Sequence, residues 1–265
     1  MKIKTILTAL TVISGCSALT AQVSYDGTTY SQNFNGLISA DATSATYVDN
    51  TTIAGWYVNS EEMDSNSDEY FAENGSSSGG EVFSFGVDAA SDRALGYIGS
   101  GGNNYFNAAV RLVNDTGAAV TGLNVAYTGE QWRSGGNTAD NLNTLVFSFQ
   151  TFASGAGSIP ADTGLTGWTA VNALDFAPPN PLVAAGLLDG NIALNSTDLS
   201  STLALSWAAG DELWIRFTGN DAAGTDAGIG IDDFSVSAVP EPSTFALLAG
   251  CFALASVMVR RRAVK

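Results

Sequence analysis

Histidine is absent from the 265 residues. That absence removes Ser-His-Asp and Cys-His nucleophilic arrangements, imidazole general bases and histidine-ligated zinc or iron. Cysteine occurs only as Cys16 and Cys251, both in apolar end segments, so the stretch between them holds neither a thiol nor a disulfide. Charged residues make up 14% of the chain, where about 25% is usual. Lysine is confined to Lys2, Lys4 and Lys265, and between residues 22 and 240 the only cations are Arg93, Arg111, Arg133 and Arg216, against 25 acids, a net charge of −21. Such a surface repels nucleic acid and anionic lipid and excludes both as partners of this region, while it favours solubility and cation binding. No repeat of fixed period is visible, which excludes a propeller or solenoid. The glycine-rich Gly99–Gly102 lacks a following Gly-Lys-Ser/Thr, so it is no phosphate cradle.

What is present begins at the ends. Met1-Lys2-Ile3-Lys4, the apolar run from Ile6 to Ile13 and small residues through Ala21 have the order of a secretory signal peptide over residues 1–21. Ile13-Ser14-Gly15-Cys16 also resembles a lipobox; in that alternative Cys16 is lipidated and becomes the mature N-terminus. At the other end, Pro240-Glu241-Pro242 precedes the apolar stretch Phe245–Val259 and the triplet Arg260-Arg261-Arg262. Fifteen helical residues cover about 22 Å, short of the ~30 Å hydrocarbon core. A start near Pro242 and snorkelling arginines close most of the gap, giving a C-terminal transmembrane helix with its arginines on the cytoplasmic side. The Pro-Glu-Pro triplet, short apolar helix and arginine cluster over residues 239–265 resemble the PEP-CTERM sorting signal. That resemblance implies an exosortase-like processing enzyme as partner, a membrane anchor that lasts until processing, and delivery to the cell surface or extracellular matrix.

The middle, residues 22–238, alternates with the period of strands. Phe106, Ala108, Val110 and Leu112 share one face, as do Leu123, Val125 and Tyr127; Leu145, Phe147 and Phe149; and Leu213, Ile215 and Phe217. Turn clusters such as Asn114-Asp115-Thr116-Gly117 separate them. The pattern predicts one all-β domain, a single antiparallel β-sandwich. The acid run Glu61 to Glu73 reads as a solvated loop. Along Ile229 to Ser237 the apolar phase switches from odd (Ile229, Ile231) to even (Phe234, Val236), so a β-bulge or kink is expected at Asp232-Asp233. This closing strand and the opening segment Tyr30–Gly36 resemble the first and last strands of jelly-roll carbohydrate-binding modules. The resemblance implies that the two ends of the domain pair. It also implies a structural calcium held by Asp232 or Asp233 with oxygens near Asn33 and Asn35, although Asn33 and Asn35 stand where that pattern commonly has a carboxylate.

The most distinctive internal string is Glu130-Gln131-Trp132-Arg133. These four side chains suit a sugar cleft, the indole stacking on a pyranose while the polar groups hold hydroxyls. They equally suit a structural cluster in which Arg133 or Arg111 pairs with Glu130 under the indole. Trp56, Trp168, Trp207 and Trp214 are further candidate platforms, with Trp214 and Arg216 facing away from the core side of their strand. Glu130 with Asp211, Glu212 or Asp232 supplies candidate carboxylate pairs for glycoside hydrolysis. The leading expectation is a non-catalytic exported surface or matrix protein that binds exopolysaccharide. The alternatives are a secreted glycan hydrolase and a structural or adhesive protein without a glycan ligand.

Overall fold

The computed structural model describes residues 23–65, 68–136, 143–181 and 184–239. The signal segment, both cysteines, the Pro-Glu-Pro triplet, the apolar stretch after it and the arginine cluster lie outside the described residues. Among the described residues no helix is long and apolar enough to cross a membrane.

The chain runs through β1 (Val23–Tyr25), β2 (Tyr30–Gln32), β3 (Ser44–Thr46), β4 (Trp56–Ser60), α1 (Glu61–Ser65) and β5 (Glu69–Glu73). It continues with β6 (Val82–Phe85), β7 (Ala94–Tyr97), β8 (Tyr105–Asn114), β9 (Val120–Ser134) and β10 (Val146–Phe152). It closes with β11 (Thr169–Ala170), a 3-10 turn (Asn172–Leu174), β12 (Gly186–Leu187), β13 (Ser196–Trp207), β14 (Glu212–Asn220) and β15 (Gly228–Ala238). One sheet has the order β1-β8-β14-β10-β11, with β4 also on β8. The other has the order β12-β9-β15-β7-β6-β5-β3, with β13 on β9 and β2 on β15. From β7 onward the chain passes back and forth between the two sheets, which gives the all-β sandwich its jelly-roll-like wiring.

The alternation read from the sequence sets the inner faces. Phe106, Ala108, Val110 and Leu112, Phe147 and Phe149, and Leu213, Ile215 and Phe217 meet Leu123, Val125 and Tyr127, with Ile229, Ile231, Phe234 and Val236, in one buried cluster. Phe217 sits at its centre, with Tyr127, Phe147 and Phe234 edge-on and the Trp56 indole parallel to it. Pairing is not antiparallel throughout: β1 lies parallel to β8 and β5 parallel to β6. Neither pair is joined by a tight hairpin: residues 74–81 separate β5 from β6, and six strands intervene between β1 and β8.

The acid run does not form the loop its charge suggests. Glu61–Ser65 is a short helix and Glu69–Glu73 is strand β5, because Tyr70 and Ala72 alternate inward and are buried. The bulge at the Asp pair is present. Asp232 pairs with Thr128 but Ser235 with Ala126, so three steps on β15 oppose two on β9. Asp233 takes φ +47°, the left-handed conformation that absorbs the extra residue. The ends of the domain pair as well, Gln32, Ser31 and Tyr30 opposite Phe234, Ser235 and Val236.

Candidate functional site

Glu130, Gln131 and Trp132 lie on β9 and are all buried. In a strand, residues two apart share a face, and the Trp132 indole N–H donates to Glu130 Oε2 at 2.8 Å. The indole stacks on Phe85 with ring planes 4° apart. Gly190 closes the other approach: a Cβ there would stand 2.4 Å from Trp132 Nε1, so only glycine lets that turn lie on the ring. Gln131 clamps Asn180, accepting its backbone N–H at 2.8 Å and donating to its carbonyl at 3.1 Å. Arg133 donates to the carbonyls of Gly75 and Ser76 at 3.2 and 3.1 Å. The string therefore ties loops to the sheet, and its indole is a core group in this conformation. Neither arginine pairs with Glu130. Arg111 stands opposite Trp214 on β14, which places it diagonally beside Glu212, and the ion pair forms there at 2.5 Å.

The structure does bring together one of the carboxylate pairs. Glu130 is opposite Gly230 and Asp232 opposite Thr128, so the two acids are diagonal neighbours on the outer face of the nine-stranded sheet. Each is 4% exposed. Burial is the main cause pushing the Glu130 carboxyl up to about 7, with Asp92, Asp233 and Asp189 adding repulsion against the Trp132 hydrogen bond. Burial likewise pushes Asp232 up to about 8, reinforced by Glu130, Asp233 and Asp92 and opposed by the Asp233 backbone N–H at 2.7 Å. Asp211 and Glu212, the other candidates, lie at or on β14 in the opposite sheet.

The four residues expected to hold calcium lie on or just beyond the paired end strands β2 and β15. Asp233 and Asn33 line a common recess of about 280 Å³ with Ser31, Gln32 and Phe234. Asn33 Oδ1, however, accepts the Asn35 N–H, Asn35 Oδ1 accepts the Arg93 N–H, and Asp232 Oδ1 accepts the Asp233 N–H. Three of the four side chains thus already accept a backbone N–H. Among the described residues no group of three or more Asp, Glu, His or Cys is placed to hold a metal ion.

Of the tryptophans, Trp56, Trp132, Trp207 and Trp214 are buried and Trp168 is part-exposed. Trp214 and Arg216 do face away from the core, but loop residues after β10 roof that outer face. Pro160 and Asp162 carbonyls accept from Asn107, and the Gly164 carbonyl accepts from Arg216 at 2.7 Å. The Arg216 guanidinium carbon lies 4.2 Å from the Trp168 ring centroid, and Phe152 meets the same indole edge-on. Burial lowers the Arg216 pKa to about 10, partly offset by Asp162. Sequence reading found that Arg216 faces outward but missed its contact with Trp168, which lies 48 residues away and in no motif with it. On the other sheet a shallow groove of about 400 Å³ is lined by Asn124, Ser200, Thr202, Ser235 and Ser237, hydroxyls and an amide without an aromatic floor.

Residues 238–262 match the PEP-CTERM protein-sorting motif. The chain thus carries the mark of an exported protein sorted to the cell surface. Among curated proteins none matches the sequence. Among solved structures, the chain is similar to the CBM22-1 xylan-binding domain of Paenibacillus barcinonensis Xyn10C at 10% identity and TM-score 0.34, covering 83% of this chain and 99% of that one. It is similar to TmCBM61, solved with β-1,4-galactotriose, at 11% identity and TM-score 0.34, covering 74% and 99%. It is also similar to the K3 cleaved adhesin domain of Lys-gingipain from Porphyromonas gingivalis W83 at 14% identity and TM-score 0.35, covering 73% and 98%. Likeness at this level transfers no ligand and no site residue.

Proposed function

We propose that the protein is a non-catalytic component of the cell surface or extracellular matrix that binds exopolysaccharide, released from a C-terminal membrane helix by an exosortase-like enzyme. The observation that carries the binding reading is Trp168. It is the tryptophan with a part-exposed indole, and it is held rigid by a guanidinium on one face and a phenyl ring at its edge. A fixed aromatic face is what a pyranose ring stacks on, and Gln150 in the adjoining strand supplies an amide for hydroxyls. Against catalysis stands the enclosure of Glu130 and Asp232: carboxylates this deep reach neither a glycosidic oxygen nor an attacking water.

The test uses intrinsic fluorescence. With four indoles buried, a shift on adding the host's own exopolysaccharide reports on Trp168. Affinity electrophoresis through a gel holding the same polymer reads binding directly. Trp168→Ala is expected to abolish both the shift and the retardation with the fold intact. A wild type that shows neither refutes polysaccharide binding. Mass spectrometry of the exported protein is expected to find a C-terminus near residues 239–242, and a mature form retaining Arg260 to Lys265 refutes processing.

A further inference from the structure

The outer face of the six-stranded sheet is polar and yet covered. Asn59 on β4, Asn107 on β8, Arg216 and Thr218 on β14 and Ser148 on β10 are neighbours across its ladders. All but Asn59, which is half-buried, are buried. Their cover is the chain between β10 and β11, residues 153–167, in which no residue is itself buried and four are glycine. This strap is tied to side chains of the face. Pro160 O accepts from Asn59 Nδ2 and from Asn107 Nδ2, each at 3.1 Å. Asp162 O accepts from Asn107 Nδ2 at 3.1 Å, and Gly164 O from Arg216 Nη2 at 2.7 Å. The backbone bonds Ala156 N–H to Ala153 O and Trp168 N–H to Leu165 O stay within the turn. The buried core and the residues packed on it include none of the strap's side chains, and Leu165 is 41% exposed. A segment with so few apolar contacts opens at low cost. Beneath it Arg216 is 0% exposed, yet its Nη1 has no hydrogen-bond partner among the described residues. Buried donors left unpaired are rare, because each has lost its hydration and gained nothing in return.

We infer that the strap closes a binding face that continues inward from Trp168, its carbonyls lying where the oxygens of a neutral polysaccharide bind; this rests on the polysaccharide-binding reading above. Asn59, Asn107 and Arg216 all present donors, and the three oxygens they now hold are uncharged carbonyls. Hydroxyl and ring oxygens replace such acceptors like for like, and Arg216 Nη1 is the donor left for one oxygen more. Chemistry narrows the class of glycan. A cationic one brings ammonium donors to a face of donors. An acidic one gains a single pairing with Arg216, while its remaining carboxylates meet a domain with 25 acids and a net charge of −21. The closed strap withholds the face, so the observed dissociation constant exceeds the intrinsic one by the inverse of the open fraction.

Gly157 provides the lever for a test. A Cβ there would stand 2.1 Å from Trp214 Nε1, so Gly157→Val lifts the strap and changes no donor of the face. A second variant lacks residues 156–165. The host's own exopolysaccharide is separated into neutral and acidic fractions on an anion exchanger, and each fraction is cast into affinity gels. The exported wild type is expected to be retarded by the neutral fraction. Both variants are expected to bind that fraction roughly tenfold more tightly, the gain for a face open about one-tenth of the time. Thermolysin cleavage at the exposed Leu165 is expected to quicken in the wild type when the neutral fraction is added, because the ligand displaces the strap. Wild-type binding that neither variant tightens, or cleavage that the glycan slows, overturns the strap and leaves binding at Trp168 standing. Retardation by the acidic fraction alone overturns the neutral ligand. A wild type and two variants that neither fraction retards overturn polysaccharide binding itself.

Discussion

Two Glu-x-Trp corners, one on each sheet, solve the same local problem and end with their carboxyl pKa values shifted in opposite directions. In Glu130-Gln131-Trp132 and in Glu212-Leu213-Trp214 the indole N–H donates to the carboxylate two residues earlier, at 2.8 and 2.9 Å. Both glutamates are buried. Burial acts to raise Glu212 too, but the Trp214 indole, the Gly155 N–H at 2.6 Å and Arg111 outweigh it and hold its carboxyl below the ordinary range. Glu130 has the indole and otherwise only acids nearby, so it rises to about 7. The motif positions the oxygen; its surroundings decide the proton, burial prevailing at Glu130 and the donors and cation prevailing over burial at Glu212. Across the ladder Glu212 has Arg111 on β8 as its diagonal neighbour, and Glu130 has another buried acid, Asp232, on β15.

The largest expected effect breaks the cationic corner. Arg111→Met leaves Glu212 buried without its charge partner, and loss of one member of such a pair costs about 3–5 kcal/mol. Urea unfolding at neutral pH reads the loss; a change below about 1 kcal/mol would place this pair among exposed ones.

Next comes pH, where the two corners pull in opposite directions. Glu130 and Asp232 have folded pKa values above their unfolded ones, so the stability they contribute is complete below about pH 4 and is lost as pH rises through 7 to 8. Glu212 is depressed, so its contribution is present above its unfolded pKa and is lost as pH falls through its folded one. The wild-type urea midpoint is therefore expected to decline between pH 5 and about pH 8.5. Glu130→Gln and Asp232→Asn keep shape without the ionisation; each is expected to flatten that decline and to add on the order of 1–3 kcal/mol at pH 8. Glu212→Gln is expected to destabilise at both ends. A wild-type midpoint that climbs from pH 5 to 8 contradicts the protonated pair.

The smallest effect belongs to Asp233. Asp233→Gly keeps the N–H that caps Asp232, removes one repelling carboxylate and puts glycine at φ +47°. It is expected to lower the folded pKa values of Glu130 and Asp232, so that the alkaline decline becomes shallower and ends at lower pH, and to stabilise by less than about 1 kcal/mol. Destabilisation on urea titration would mean that the Asp233 side chain itself holds the bulge.

The bulge was legible because a phase switch is local: Ile231 and Phe234 cannot both face inward without an extra residue between them. The inner faces were legible for the same reason, since alternate residues from Phe106 to Leu112, Phe147 to Phe149 and Leu213 to Phe217 are apolar. The arginine partners were not. Arg111 and Glu212 are 101 residues apart, and the register of β8 on β14 joins them rather than any pattern in either strand. Trp132 looked like a platform because its neighbours are polar, but Phe85 and Gly190, both distant in sequence, cover it. The acid run hid a strand because charge outnumbered the two inward residues, Tyr70 and Ala72.

Ala238 is the last residue of β15 and the first of the sorting match. The folded body therefore runs directly into the first residues of the sorting motif. β15 is an interior strand, laddered to β9 on one side and to β7 and β2 on the other, and the next residue, Val239, still donates to Gly122 O at 3.1 Å. A pull on the tail acts along the axis of that strand, so its hydrogen bonds with β9 share the strain in shear instead of parting one at a time. In the anchored state proposed above, tension from flow or a moving matrix would reach the domain through a strand paired on both sides.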